Sequence, residues 1–217
     1  MNRLDYLKQH HCKLLFVLIA LPFITMATLQ AQGTRLLRQP DISTTHITFT
    51  YGSDIWVSNI NGGEAKRITS TQAVESNPYF SPDGNWIAFS SNRTGYQAVY
   101  VVSAEGGEAK QITWHPSGSL VRGWSNDGTR ILYASNRDTA PSPYNRLWTT
   151  GVTENIPSLV HPQWGFDGAF APDGEHLIID RVSRWDSEWR GYRGGQNTPL
   201  IILNTTTSEE ELLPNER

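Results

Sequence analysis

The chain repeats itself about every 44 residues, and no other feature restricts its fold as strongly. Asp54-Ile-Trp-Val-Ser-Asn-Ile-Asn-Gly-Gly-Glu-Ala-Lys-Arg-Ile-Thr69 and Ala98-Val-Tyr-Val-Val-Ser-Ala-Glu-Gly-Gly-Glu-Ala-Lys-Gln-Ile-Thr113 share a Gly-Gly-Glu-Ala-Lys core at an offset of 44. A second marker runs through Ser81-Pro-Asp-Gly84, Ser125-Asn-Asp-Gly128 and Ala171-Pro-Asp-Gly174, with Asp83, Asp127 and Asp173 spaced by 44 and 46. Ser91-Asn92-Arg93 and Ser135-Asn136-Arg137 supply a third. Three markers in one register specify a structural unit used several times.

Each unit reads as strand, tight turn, strand. In Ser-Pro-Asp-Gly, Pro has the φ that the second position of a type I turn requires, and Gly lets the chain leave the turn. Short apolar strands follow at Trp86–Ser90, Thr129–Ala134 and His176–Ile179, and the next strands carry Ile55-Trp56, Val99-Tyr100 and Leu147-Trp148. The Gly-Gly pairs turn the chain into short outer strands ending at Ile68-Thr69 and Ile112-Thr113. Glycine and proline punctuation (18 Gly, 12 Pro), 8 Trp, and no helical periodicity beyond the first thirty residues predict an all-β fold. Three or four strands per unit fit one antiparallel, four-stranded blade of a β-propeller. About four blades are expected, at residues 40–76, 77–118, 119–166 and 167–217, as part of a six-bladed ring. A lone blade buries too little apolar surface, so blades stack. Units this long are expected to belong to a larger closed ring and the chain to be the front part of a longer polypeptide, a compact four-bladed protein being the other reading.

Residues 1–31 have the layout of a secretory signal peptide. Arg3, Lys8 and Lys13 precede the apolar run Leu14–Ile24, and the small residues Ala27 and Ala31 follow. The run is short of the ~20 residues that span a bilayer and contains Pro22. Cleavage near Ala31 is expected, with an uncleaved anchor as the alternative, so that the membrane is met only through this segment. Removing it takes three Lys/Arg and one Asp from the 18 and 21 of the whole chain, leaving a net charge of −5, and also removes the only cysteine, Cys12. A cysteine-free mature chain suits an oxidising, periplasmic location. The near-neutral balance of the whole chain, 18 Lys+Arg against 21 Asp+Glu with no basic excess, argues against nucleic acid as a partner.

The repeats resemble the amino-terminal propeller of the tricorn-type serine peptidases, and are shared in part with envelope propellers of the TolB type. The more selective segment is Trp189-Arg-Gly-Tyr-Arg-Gly-Gly195 followed by the strand Leu200–Leu203, which is similar to an insertion in the fourth blade of tricorn propellers; Pro40-Asp41-Ile42 also fits the start of that domain. The resemblance covers the chain from residue 36 onward. It implies a non-catalytic propeller that gates or guides oligopeptides to a peptidase core, whose serine nucleophile and histidine match no position here. Partners would be peptides or the remainder of the peptidase, with self-association of the full-length protein left open. The alternative is a TolB-like module that binds proteins without chemistry.

The residues themselves offer little catalytic chemistry. There is no Gly-x-Ser-x-Gly elbow, and His46, His115, His161 and His176 fall in different units without metal-ligand spacing. No cofactor or metal is expected. Asp83, Asp127 and Asp173 recur in one turn and read as turn chemistry rather than calcium ligands or acid–base carboxylates. The sequons Asn92-Arg-Thr94 and Asn204-Thr-Thr206 sit at hairpin positions. The candidate contact residues are Arg184, Trp189, Arg190, Tyr192 and Arg193, in a stretch that interrupts the fourth unit between its second and third strands. Arginine forks grip carboxylates and aromatic rings hold extended peptide. The alternative is a loop pinned by its own aromatics, its arginines paired with Asp180, Asp186 and Glu188.

Overall fold

A computed structural model describes residues 36–141, 143–181 and 199–213. Among them are sixteen strands, arranged in four antiparallel sheets whose strands follow chain order. The first sheet holds β1 (Arg38–Ile42), β2 (His46–Tyr51), β3 (Asp54–Asn59) and β4 (Lys66–Arg67). The second holds β5 (Glu75–Phe80), β6 (Trp86–Ser91), β7 (Ala98–Ser103) and β8 (Lys110–Gln111). β9 (Leu120–Trp124), β10 (Arg130–Ser135), β11 (Arg146–Gly151) and β12 (Pro157–Leu159) form the third. β13 (Asp167–Phe170), β14 (His176–Asp180), β15 (Ile201–Asn204) and β16 (Glu210–Leu212) form the fourth. The fold is all-β, and the sheets are the blades of a propeller.

Alternation along the strands explains the stacking. Successive side chains leave opposite faces of a sheet, so a sheet between two others needs apolar residues at both parities. In β7, Ala98, Tyr100 and Val102 enter the layer shared with the first sheet, while Val99 and Val101 enter the layer shared with the third. In β10, Ile131 and Tyr133 face the second sheet and Leu132 and Ala134 the fourth. The outer sheets contribute one parity each: Ile55 and Val57 from β3, and Leu177, Ile179, Ile201 and Leu203 from β14 and β15.

Each sequence marker has a physical task. In the Ser-Pro-Asp-Gly turn, the Gly84 N–H donates to Ser81 O (2.8 Å) at a φ of +73°, and the Trp86 N–H donates to Ser81 Oγ (2.9 Å). The Asp83 carboxylate accepts the Asn85 N–H (3.1 Å) and the Ser81 hydroxyl (2.5 Å). Asp127 repeats this with Thr129 and Ser125. Asp173, where Ala171 replaces the serine, instead takes the N–H groups of Glu175 and His176 and the His176 ring. The lysine after Gly-Gly-Glu-Ala reaches the next sheet: Lys66 Nζ donates to Glu105 O (2.7 Å) and Lys110 Nζ to Val152 O (3.2 Å).

The outer strands differ from expectation. β4 and β8 stop at Arg67 and Gln111, two residues each, before Ile-Thr. The Ile68 and Ile112 N–H groups still donate to Ile55 O and Val99 O, both at 2.8 Å. The threonine hydroxyls then take over the ladder's next acceptor, receiving the Ile55 and Val99 N–H at 2.9 Å. A side chain replaces the main chain there, so regular pairing ends early.

Candidate functional site

The first strands of the sheets lie side by side, β1 against β5, β5 against β9 and β9 against β13. Three of them carry one extra residue opposite their partner strand, between Arg38 and Asp41, Ser76 and Tyr79, and Val121 and Gly123. Such bulges re-aim side chains. Gln39 and Asn77 take left-handed backbone conformations at these places (φ +52° and +53°), each just before a proline.

Side-chain bonds to main chain stitch the first strands together. Gln39 Oε1 accepts the Asn77 N–H (3.0 Å), and Asp41 Oδ2 accepts the Phe80 N–H (2.7 Å). Trp124 Nε1 donates to Tyr79 O (2.9 Å), and Arg122 Nε donates to Phe166 O (2.7 Å).

One chemically active side chain from each first strand gathers here: Asp41 of β1, Tyr79 of β5, Arg122 of β9 and Asp167 of β13. Tyr79 and Arg122 line two adjoining cavities, about 440 Å³ with Gln39 and Asp167, and about 580 Å³ with Asp41 and Phe170. The Arg122 side chain is only 5% exposed; its guanidinium lies 4.4 Å from the centre of the Phe166 ring and 3.6 Å from Asp167 Oδ1. Burial pulls the guanidinium below its ordinary value, and the charges of Asp167 and Tyr79 oppose that. Burial pushes the Asp41 carboxyl up, against hydrogen bonds from the Phe80 and Ile42 backbone. The Tyr79 phenol is raised by burial and by the charges of Asp167 and Asp41, with Arg122 pulling the other way. Tyr79 is thus the group that feels the charges of all three others.

The matched family is the Tricorn protease N-terminal beta propeller domain, aligned over residues 34–217. The chain belongs to that family. Tricorn protease homolog 1 of Streptomyces coelicolor is 32% identical over 76 residues, which are 35% of this chain and 7% of that protein. This tricorn-family chain thus spans a small fraction of its curated relative. TolB from Acinetobacter baumannii superimposes with a TM-score of 0.68 at 19% identity, over 85% of this chain and 45% of that one. The tricorn protease itself gives 0.66 at 23% identity, over 83% and 18%. At these identities the likeness is one of fold.

The candidate contact residues Arg184, Trp189, Arg190, Tyr192 and Arg193 lie outside the described residues, as does the 1–31 segment. Arg181, at the start of that stretch, donates to Gln163 Oε1 (2.8 Å). The histidines hold local or structural partners: His46 Nδ1 with the Thr45 hydroxyl, His115 Nδ1 accepting from the Ser117 N–H, and His161 Nε2 with Glu210. Asn92 and Asn204 of the sequons accept main-chain N–H groups through Oδ1, from Val74 and from Thr206 and Thr207.

Sequence reasoning missed the first-strand cluster. The signal that could have found it is disagreement between repeats. Counting back from the turn markers at Ser81, Ser125 and Ala171, and in the first unit from Ser43, whose N–H closes its hairpin on His46 O as that of Ser81 does on Trp86 O, Arg122 stands where the first two units have Pro40 and Pro78, and Asp41 and Tyr79 stand where the later units have Gly123 and Ala169.

Proposed function

We propose that this chain is the non-catalytic front propeller of an exported tricorn-like serine peptidase, guiding oligopeptides toward a catalytic core elsewhere in that enzyme. Membership of the tricorn propeller family, with a cavity lined by all four first strands, carries this reading. In it, residues 1–31 are a leader removed near Ala31 on passage to the periplasm. The units 40–76, 77–118, 119–166 and 167–217 are four blades of a six-bladed ring. Arg184, Trp189, Arg190, Tyr192 and Arg193 meet peptide, or the remainder of the peptidase, at the channel mouth. Replacing Arg190 and Arg193 by Ala in the full-length enzyme should lower turnover of fluorogenic oligopeptides severalfold while leaving the circular dichroism of this chain unchanged; equal turnover by the double variant would remove the loop's role.

The second reading is a TolB-like protein-binding module, which the superposition on TolB favours. The reading frame after Arg217 separates the two: further blades and a serine-containing core support the peptidase.

A further inference from the structure

We infer that Asp41, Tyr79, Arg122 and Asp167 form a receptor for a primary ammonium group with a carbonyl oxygen beside it, the amino-terminal residue of a short peptide. The choice of a peptide rests on the peptide-guiding function proposed above; the choice of an amine rests on the cluster alone.

Charge selects the cation. The two cavities are lined by Asp41, Asp167 and Asp180 against the one guanidinium of Arg122, and Asp167, 3.6 Å from Arg122, already offsets that positive charge. Asp41 remains, in a site where burial disfavours its ionised form, so an incoming ammonium would supply the partner charge it lacks. A peptide carboxylate would meet the reverse balance: an arginine already neutralised, and a second aspartate repelling it.

The donors select the neighbouring oxygen. Arg122 uses Nε on Phe166 O and Nη1 on Val121 O, while Nη2 has no hydrogen-bond partner among the described residues. The Tyr79 hydroxyl likewise has none, and both residues line the two cavities. Asp167 accepts the Gly168 N–H through Oδ1 (2.9 Å), and its side chain is half exposed and lines the cavity it shares with Tyr79 and Arg122. An amino-terminal residue presents its ammonium and its carbonyl a few bonds apart, and so matches carboxylates and donors brought together by adjacent strands. A lysine side chain offers only the first.

The test is calorimetric titration of the full chain with glycinamide, N-acetylglycinamide and n-butylamine, then with tetraglycine and its N-acetyl and C-terminal amide forms. Glycinamide and tetraglycine should bind, acetylation should weaken each by at least about tenfold, and n-butylamine should bind less well than glycinamide. Asp41→Asn and Asp167→Asn should each weaken tetraglycine by about tenfold, and Tyr79→Phe, which removes one hydroxyl only, by severalfold. Glu64→Gln, in an exposed turn, should change nothing. If tetraglycine binds equally well after acetylation, the amine receptor is overturned while peptide guiding survives. If glycinamide binds and tetraglycine does not, the receptor stands and peptide guiding falls. Loss of binding on amidation instead of acetylation would overturn the proposal in favour of a carboxylate site, and no binding by any probe overturns it outright.

Discussion

At the scale of single residues, the repeated aspartate shows how a short motif is held. Asp127 accepts from the Ser125 hydroxyl (2.6 Å), the Thr129 N–H (3.0 Å) and the Thr129 hydroxyl (2.9 Å), and the first of these contributes most to holding its carboxyl below the ordinary carboxylate range. A carboxyl with a depressed folded-state pKa stabilises the fold above its unfolded value of about 3.9, and that contribution disappears as pH falls through the folded value. Asp127→Asn should therefore lower the urea midpoint at neutral pH, and the gap from the parent should close as pH falls below about 4. A gap of constant size across that range would mean that the carboxylate's charge has no part in the turn.

At the scale of the element, the third marker proves to be a cross-strand clasp. Arg93, just past β6, forms an ion pair with the fully buried Glu75 of β5, and its guanidinium lies 4.4 Å from the Tyr100 ring centre and 5.5 Å from that of Phe89. Three strands of one sheet are thus tied through a single side chain. Arg137 repeats the stacking over Trp148 at 4.7 Å. Removing one partner of a buried pair leaves an uncompensated charge, so Arg93→Ala should cost about 3–5 kcal/mol in urea unfolding. Adding Glu75→Gln to that variant should recover part of the loss, because the stranded charge is gone. The marker was visible in the sequence as Ser-Asn-Arg, but its partner was not, since Glu75 stands outside every repeated motif. The outer strands offer the complementary case: the sequence pattern places the Ile-Thr pairs at strand ends, whereas each threonine hydroxyl caps a strand that has already stopped.

At the scale of the whole molecule, stability is a sum over neighbouring sheets. Among the described residues, the second and third sheets have both faces covered, while in the first and fourth one parity of side chains enters a buried layer. Ile178 and Leu212 of the fourth sheet are correspondingly 36% and 55% exposed. Amide exchange should then be slowest in β6, β7 and β10 and faster in β2, β3, β14 and β15 of the same chain. Uniform protection across all four sheets would show instead that they open as one unit.

Sequence by itself determined the sheets, because every ingredient of a blade is local: a turn that needs Pro and Gly at set positions, strands of alternating parity, and hairpins closed within about 44 residues. Tertiary structure alone decided the site. Asp41, Tyr79, Arg122 and Asp167 lie roughly forty residues apart, one per unit, and share no motif. They meet because the first strands pack side by side and bulges on three of them re-aim side chains, and a neighbour supplied by a different sheet leaves no trace in the spacing along one chain.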